Sequence, residues 1–303
     1  MSDILPTSES VTLTAADGQR LSARLFAPAS TAAGFNGLTL QINGATGVPR
    51  GYYDAFAGFM AQRGFAVLNF DYRGISGSRE TTPGAPPPRM LDWARQDIPA
   101  AAAFLRGRFP EARACMIGHS FGGQALGLLP QAEDIAAAIT IGAQQGYWRN
   151  WPAKQQVRLA AIWYVAMPLT VALRGHVPGR MLGGEPLPRG VALDWARWCR
   201  TPHYMSDDTG KPLQTLNRRL RAPMRMISFA DDVDFGPKRG VDALARTYAG
   251  ARIERQHIAP GDWGLPRIGH FGFFKRDMPQ ERWAEMAEWL YAAAYRRHDS
   301  RAA

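Results

Sequence analysis

The stretch Gly118-His119-Ser120-Phe121-Gly122 follows the apolar run 114–117 and precedes the small-residue stretch 123–127. A serine hydroxyl is a weak nucleophile at neutral pH, so a reactive serine has to stand on a sharp turn where a base can reach it. Glycines two positions before and after the serine let a strand and a helix approach closely enough to make that turn. The pattern therefore predicts a strand, a turn that presents Ser120 as a nucleophile, and then a helix.

Short apolar runs alternate with helix-like patterns along most of the chain. Strands separated by helical segments of about ten or more residues need right-handed crossovers, which build a mainly parallel sheet with both faces covered. We therefore predict an α/β fold with a mainly parallel sheet of about eight strands, helices on both faces and a helical cap insertion. The predicted strands are 11–14 and 21–26, which form an opening hairpin, and 38–42, 65–70, 113–117, 135–141, 224–229 and 253–258; the predicted helices include 52–62 and 91–106.

Residues 144–220, called the cap below, break this alternation. The segment contains five of the nine tryptophans and follows a predicted strand without extending the sheet. We interpret it as a helical cap over the site, inserted into a core formed by residues 1–143 and 221–303.

The cap contains an apolar run, 159–173, without a charged residue. A membrane-spanning helix needs roughly twenty apolar residues, and Pro168 lies inside this shorter run. We therefore expect a cap helix that is buried or touches a membrane surface rather than a transmembrane span.

A serine nucleophile needs a base, and the base needs a carboxylate that fixes its tautomer and stabilises its charged form. Asp231, Asp232 and Asp234 follow the predicted strand 224–229 directly. We choose Asp232 as the acid, because a residue just beyond the strand end can bend over the sheet. Asp231 and Asp234 are the alternatives, and a solvated acidic turn would explain all three without catalysis.

Among the six histidines, His270 is the candidate base. It lies between glycines in a loop after the last predicted strand, whereas His257 is predicted within that strand and His119 beside the serine. The histidines and cysteines show no spacing typical of a metal site. The sequence therefore predicts no metal and no cofactor.

Acyl transfer places negative charge on the substrate oxygen, which main-chain N–H groups can stabilise. The first expected donor is the N–H of Phe121, the residue after the nucleophile. We assign the second to the N–H of Ala45, in the small-residue loop 43–47 that follows a predicted strand.

The composition is 46% hydrophobic and 20% charged, which excludes a disordered or fibrous protein. A formal net charge of +10 could attract nucleic acid or anionic membranes. The arginines are scattered, however, and their tight groups are not interleaved with aromatic residues, so we expect a solvated basic surface and no nucleic-acid partner. The first residues lack a secretory-signal pattern and the two cysteines predict no disulfide framework, so we expect a cytoplasmic protein.

Three motifs resemble those of the serine α/β-hydrolase superfamily. They are the nucleophile elbow Gly118-His119-Ser120-Phe121-Gly122-Gly123, the loop Asp71-Tyr72-Arg73-Gly74-Ile75-Ser76-Gly77-Ser78, and Gly269-His270-Phe271-Gly272. The second is similar to the D-x-R-G-x-G-x-S loop of many members, with Ser76 in place of a glycine. More closely, the chain resembles bacterial predicted α/β-hydrolases grouped with serine aminopeptidase-like enzymes, with Asn43-Gly44 where many relatives have histidine-glycine.

The resemblance and the order of serine, aspartate and histidine imply a serine hydrolase that cleaves a carboxylic ester through an acyl-enzyme intermediate. The tryptophan-rich cap favours a small-molecule ester or acyl substrate with an apolar portion. A thioesterase, an acyltransferase or a peptidase would use the same residues. A non-catalytic binding or membrane-surface protein on this scaffold is the alternative from another class.

Overall fold

The structure, a computed structural model, describes residues 7–28, 34–80, 84–181 and 184–296. The strands are β1 (Thr7–Thr14), β2 (Arg20–Ala27), β3 (Leu38–Asn43), β4 (Ala66–Phe70), β5 (Arg113–His119), β6 (Ala137–Ile141), β7 (His176–Val177), β8 (Leu187–Pro188), β9 (Pro223–Phe229) and β10 (Arg252–Ile258). Eight of them form one sheet with the order β1-β2-β4-β3-β5-β6-β9-β10, and β7 pairs with β8 in a separate small sheet. In the large sheet β2 is antiparallel to β1 and β4, and all other pairs are parallel. The predicted α/β fold with a mainly parallel eight-stranded sheet is confirmed.

Helices cover both faces of the large sheet. They are α1 (Asp54–Gln62), α2 (Met90–Asp92), α3 (Ile98–Arg108), α4 (Ala153–Ala161), α5 (Met167–Arg174), α6 (Arg189–Cys199), α7 (Lys238–Ala245) and α8 (Gln280–Arg296). One buried cluster packs α1 and α8 against one face, and a second packs α3, α7 and the cap helices against the other. Successive side chains of a strand point to opposite faces of the sheet, and in β6 Ala138 belongs to one cluster and Ile139 to the other.

Two helices contain a widened turn just before a proline. Residues Trp93–Asp97 form a π-helical turn between α2 and α3, ahead of Pro99, and Ile162–Ala166 form another between α4 and α5, ahead of Pro168. A proline inside a helix lacks an N–H, and its ring collides with the carbonyl four residues earlier. The wider turn accommodates both defects, so each helix continues through its proline.

The segment after Ser120 differs from the predicted helix. Short 3-10 turns follow instead, at Ser120–Gly123, Leu126–Leu128 and Ala132–Asp134, so the prediction of a helix here was wrong. Glycine is a poor helix former and this stretch is rich in it. Gly127 also packs so closely that a Cβ there would lie 2.2 Å from the Cα of Asn217.

The loop 71–78 is stabilised by a buried arginine. Arg73 Nε donates to Asp97 over 2.7 Å, and its Nη1 donates to Asp17 over 2.5 Å. Ser76 has a φ of 42°, so the serine adopts the left-handed conformation for which glycine is the usual residue. Serine in place of glycine at position 76 therefore does not remove the turn.

The cap lies between β6 and β9 in the chain and is held to the rest of the molecule by ion pairs. Arg89 bonds Asp194 of α6 over 2.7 Å and Asp208 over 2.6 Å. Arg79 pairs with Glu185 in the same way. The division into a core and a cap at 143/144 and 220/221 stays a prediction.

Candidate active site

Ser120 stands at the carboxyl end of β5, near the middle of the sheet. Its φ is 52°, a left-handed conformation that is unusual for a serine, and the residue is 8% exposed. A Cβ on Gly122 would lie 2.1 Å from the carbonyl oxygen of Asn43, and one on Gly118 would lie 2.4 Å from Gly123. The two glycines around Ser120 are therefore required by close main-chain contacts.

His270 and Asp232 form a buried pair above the sheet. The His270 Nδ1 lies 2.6 Å from Asp232 Oδ2, and the two side chains are 4% and 1% exposed. The other carboxylate oxygen, Asp232 Oδ1, accepts main-chain N–H groups of Phe235 and Gly236 at 3.3 and 3.0 Å. Asp232 can therefore orient the imidazole and keep its Nδ1 protonated.

The three candidate aspartates have three different partners. Asp231 Oδ2 accepts the N–H groups of Ile268 and Gly269 at 2.8 and 2.9 Å, and so anchors the loop that carries His270. Asp234 is exposed and forms an ion pair with Arg158 over 2.5 Å. Of the three, the structure brings Asp232 to the imidazole.

A chain of hydrogen bonds links the elbow to the loop of His270. The N–H of Ala45 donates to Tyr53 Oη over 2.8 Å, and Tyr53 Oη lies 2.9 Å from His119 Nδ1. His119 Nε2 lies 2.9 Å from the carbonyl oxygen of His270. The carbonyl can only accept, so His119 carries its proton on Nε2 and Nδ1 accepts the tyrosine hydroxyl.

Burial lowers the pKa of His119 well below its usual value, and the nearby His270 adds to this effect. The neutral ring is the form that this hydrogen-bond chain requires. His119 therefore acts as a fixed link between Tyr53 and the main chain of His270.

The structure does not support Ala45 as an oxyanion donor, because its N–H already donates to Tyr53. The hydroxyl of Tyr53 accepts this N–H inside the protein, where a substrate oxygen cannot compete without breaking the bond. Phe121 is different. As the second residue of a 3-10 turn it has an N–H without an intrahelical acceptor.

Ser120 and His270 are brought to the same end of the sheet. The ring of His119, which precedes Ser120, lies 5.0 Å from the ring of His270 between centroids. The hydrogen bonds of the described residues do not include one between Ser120 Oγ and His270. Catalytic hydrogen bonds are often long in a protein without substrate and tighten when substrate binds.

An apolar cavity of about 290 Å³ is lined by cap residues together with Asp234 and Phe235. Its walls include Trp151, Trp163, Trp195 and Phe235. Among the described residues neither Ser120 nor His270 lines the cavity. The Phe235 ring does, and it stacks on His270 with 5.1 Å between centroids, so Phe235 is the contact between the cavity wall and the imidazole. Within the described residues Trp163 Nε1 is buried without a hydrogen-bond partner, which leaves one donor in an apolar wall.

Sequence reasoning missed Tyr53 and Phe235 as parts of this site. Tyr53 lies in a 3-10 turn before α1, and its hydroxyl reaches the elbow only because β3 and β5 are neighbours. Phe235 follows Asp232 by three residues, and this short separation was the one sequence signal that could have placed Phe235 near His270. In the part of the chain that the structure describes, no group of three or more His, Cys, Asp or Glu side chains could hold a metal ion.

Comparisons with known proteins now identify the family. The model of the alpha/beta hydrolase family matches residues 42–289. The chain belongs to this family. Comparison with curated protein sequences gives no match.

Solved structures with the same fold include several esterases. The esterase domain of a Rhodothermus marinus protein is 20% identical, with a TM-score of 0.56, and the alignment covers 96% of this chain and 98% of that one. An esterase of Pyrococcus furiosus is 14% identical, with a TM-score of 0.62 and coverages of 95% and 92%. A thermophilic esterase from Thermogutta terrifontis is 15% identical, with a TM-score of 0.55 and coverages of 94% and 99%. At these identities the likeness shows the alpha/beta hydrolase fold.

Proposed function

We propose that this alpha/beta hydrolase is a serine esterase that cleaves a carboxylic ester through an acyl-enzyme intermediate on Ser120. The observation that carries the proposal is the buried His270–Asp232 pair, which lies against the elbow through His119. The esterases among its structural neighbours support the same reaction class.

In the proposed mechanism Ser120 Oγ attacks the carbonyl carbon of the ester. His270 Nε2 takes the serine proton and then gives it to the leaving alcohol. Asp232 stabilises the imidazolium that forms. The N–H of Phe121 donates to the oxyanion, and a water activated by His270 then releases the acid and restores Ser120.

The cavity beside His270 would hold the apolar portion of the substrate. Three tryptophans and Phe235 offer contact surface to a hydrocarbon chain or ring, and concave sites of this composition take mainly apolar groups. The partnerless Trp163 Nε1 could donate to a single oxygen of that portion. We therefore propose a small ester with an apolar body as the substrate.

Labelling with a fluorophosphonate tests for an activated serine without knowledge of the substrate. We expect wild-type protein to be labelled and to hydrolyse short p-nitrophenyl esters, and Ser120→Ala to lose both. Ser10→Ala, an exposed serine on the edge strand β1, is the matched control and should behave as wild type. Labelling of Ser120→Ala at the wild-type rate would refute the proposal.

The leaving group needs a separate measurement, because thioester and amide hydrolysis would use the same residues. Matched ester, thioester and amide substrates with one acyl group should show the highest kcat/KM for the ester. A higher value for the thioester or the amide would assign the protein to thioesterases or peptidases instead.

A further inference from the structure

One cap helix is apolar on both of its sides. The helix Ala153–Arg174 runs through 22 residues with a mean hydropathy of 1.4 in its most apolar window, and 22% of that window is buried. By length and composition alone it could cross a membrane. A helix that is apolar all round is normally enclosed by protein or by lipid, yet most of this one is exposed.

The inner side of the helix faces the protein. Leu159, Trp163, Met167 and Val171 recur at intervals of four and are at most 8% exposed. Residues at such intervals share one side of a helix. Three of them also line the cavity beside His270. This packing holds the helix against the molecule, which excludes it as a span in the fold described.

The outer side of the helix exposes large apolar side chains. Val157, Tyr164, Val165, Leu169 and Leu173 are 50–77% exposed. Val157, Val165, Leu169 and Leu173 belong to one series of four-residue intervals that the exposed Ala161 completes, and Tyr164 adjoins Val165. They therefore form one stripe, about 24 Å long at 1.5 Å per residue. Such a continuous apolar stripe is unusual on the surface of a soluble protein and indicates a docking surface.

The charge around the stripe shows what could cover it. The cap contains eleven arginines and lysines against four acidic residues, a difference of seven out of the chain's +10. The acidic Asp194, Asp208 and Glu185 are paired with Arg89 and Arg79, which belong to the predicted core. Of the cap's eleven basic residues, Arg158, Arg197 and Arg219 form ion pairs with described residues, and the other eight form none there.

Basic residues stand at both ends of the stripe. Lys154 lies in the first turn of the helix, Arg174 ends it, and Arg180 follows; across the described ranges these three form no ion pair. The Arg200 guanidinium lies over the ring of Tyr164, with 5.4 Å between its carbon and the ring centroid. An apolar stripe with basic residues at both ends and an aromatic ring within it is typical of a helix that lies in a membrane interface.

We propose that the outer face of this helix docks on a bilayer with anionic headgroups, the helix lying parallel to the membrane plane. Val165 and its neighbours enter the acyl boundary, while Lys154, Arg174 and Arg180 contact the headgroups. The docking stands independently of the proposed esterase activity. Its consequence rests on that activity: the same helix lines the cavity whose Phe235 wall stacks on His270, so docking would place that cavity near the bilayer in which apolar esters dissolve.

Vesicle sedimentation at low ionic strength tests the docking. We expect wild-type protein to sediment with vesicles of phosphatidylglycerol and phosphatidylcholine, to bind pure phosphatidylcholine far more weakly, and to be released by high salt. Val165→Glu/Leu169→Glu should lower the partition coefficient at least tenfold, and Lys154→Glu/Arg174→Glu should weaken binding to the anionic vesicles alone. Tyr291→Glu, which changes an equally exposed aromatic on α8, is the matched control and should bind as wild type.

Turnover of a water-soluble p-nitrophenyl ester separates docking from folding and from catalysis. The variants at 165/169 and 154/174 touch neither the elbow nor the cavity, so they should keep wild-type turnover, and Ser120→Ala should keep wild-type vesicle binding. Vesicle binding without any ester turnover would refute the proposed function alone.

Three results would overturn the docking proposal. They are no sedimentation of wild type with anionic vesicles at low salt, equal binding by Val165→Glu/Leu169→Glu, and a wild-type dimer in analytical ultracentrifugation that this double variant converts to a monomer. The last would assign the stripe to a second copy of the chain.

Discussion

Replacing Asp232 by asparagine should inactivate the protein by inverting the tautomer of His270. Asp232 Oδ1 accepts the N–H groups of Phe235 and Gly236, and Oδ2 lies 2.6 Å from His270 Nδ1. In Asp232→Asn the two main-chain donors require the amide oxygen at the first position, so the amide NH₂ faces the imidazole. His270 Nδ1 must then accept, and the proton moves to Nε2.

With Nε2 protonated, His270 cannot take the proton of Ser120. In Ser-His-Asp sites the same replacement lowers kcat by about 10⁴, which corresponds to about 5 kcal/mol of activation free energy. The asparagine has almost the same shape and keeps both main-chain hydrogen bonds. Stability should therefore change little while activity is lost.

The assay is kcat for a p-nitrophenyl ester, with urea unfolding of the same preparations. Asp208→Asn is the matched control: it changes an exposed aspartate that pairs with Arg89 outside the cavity, and exposed pairs contribute at most about 1 kcal/mol. It should stay within a few-fold of wild type. If Asp232→Asn kept kcat within tenfold of wild type, the assigned role of Asp232 would be refuted.

Three further changes, the last with a control variant, test the framework of the site. Asp231→Ala removes the acceptor of two main-chain N–H groups in the histidine's loop, so it should cost about 1–3 kcal/mol in urea unfolding and lower kcat at least tenfold; an unaltered kcat would contradict the anchoring role. Tyr53→Phe leaves the N–H of Ala45 without its acceptor and should destabilise by about 1–3 kcal/mol, whereas an unchanged urea midpoint would show that this bond is dispensable. Gly122→Ala places a Cβ 2.1 Å from a carbonyl oxygen of β3 and should lower both stability and activity. The control is Gly58→Ala in α1, where no atom lies within 4 Å of the new Cβ, and it should stabilise the protein by up to about 1 kcal/mol. Equal melting temperatures for the two variants would disprove the close contact at Gly122.

Local patterns were sufficient for much of the fold. Apolar runs identified the strands, and their alternation with helical patterns predicted the parallel sheet, because side-chain periodicity is a property of short segments. The segment after Ser120 is not the predicted helix, since its glycines allow close tertiary contacts such as the one between Gly127 and Asn217. Helix propensity cannot report such a contact.

For the candidate site too, local sequence was sufficient for some residues and not for others. Chain order was enough to select Ser120 and His270, but it left three aspartates open, because all three follow β9 within a few residues. Only the folded loops show that Asp231 bonds the main chain, Asp232 faces the imidazole and Asp234 reaches Arg158. The N–H of Ala45 donates to the Tyr53 hydroxyl, a contact between segments that the local sequence does not show.

By itself the sequence determined the class of fold, the elbow and the identity of the nucleophile and base candidates, since these depend on spacing and residue type along the chain. The tertiary structure decided which aspartate pairs with His270, which main-chain N–H groups are already occupied, and that the helix Ala153–Arg174 exposes an apolar stripe between basic residues. These are relations between segments distant in the chain, set by packing geometry and burial, which periodicity and composition do not encode.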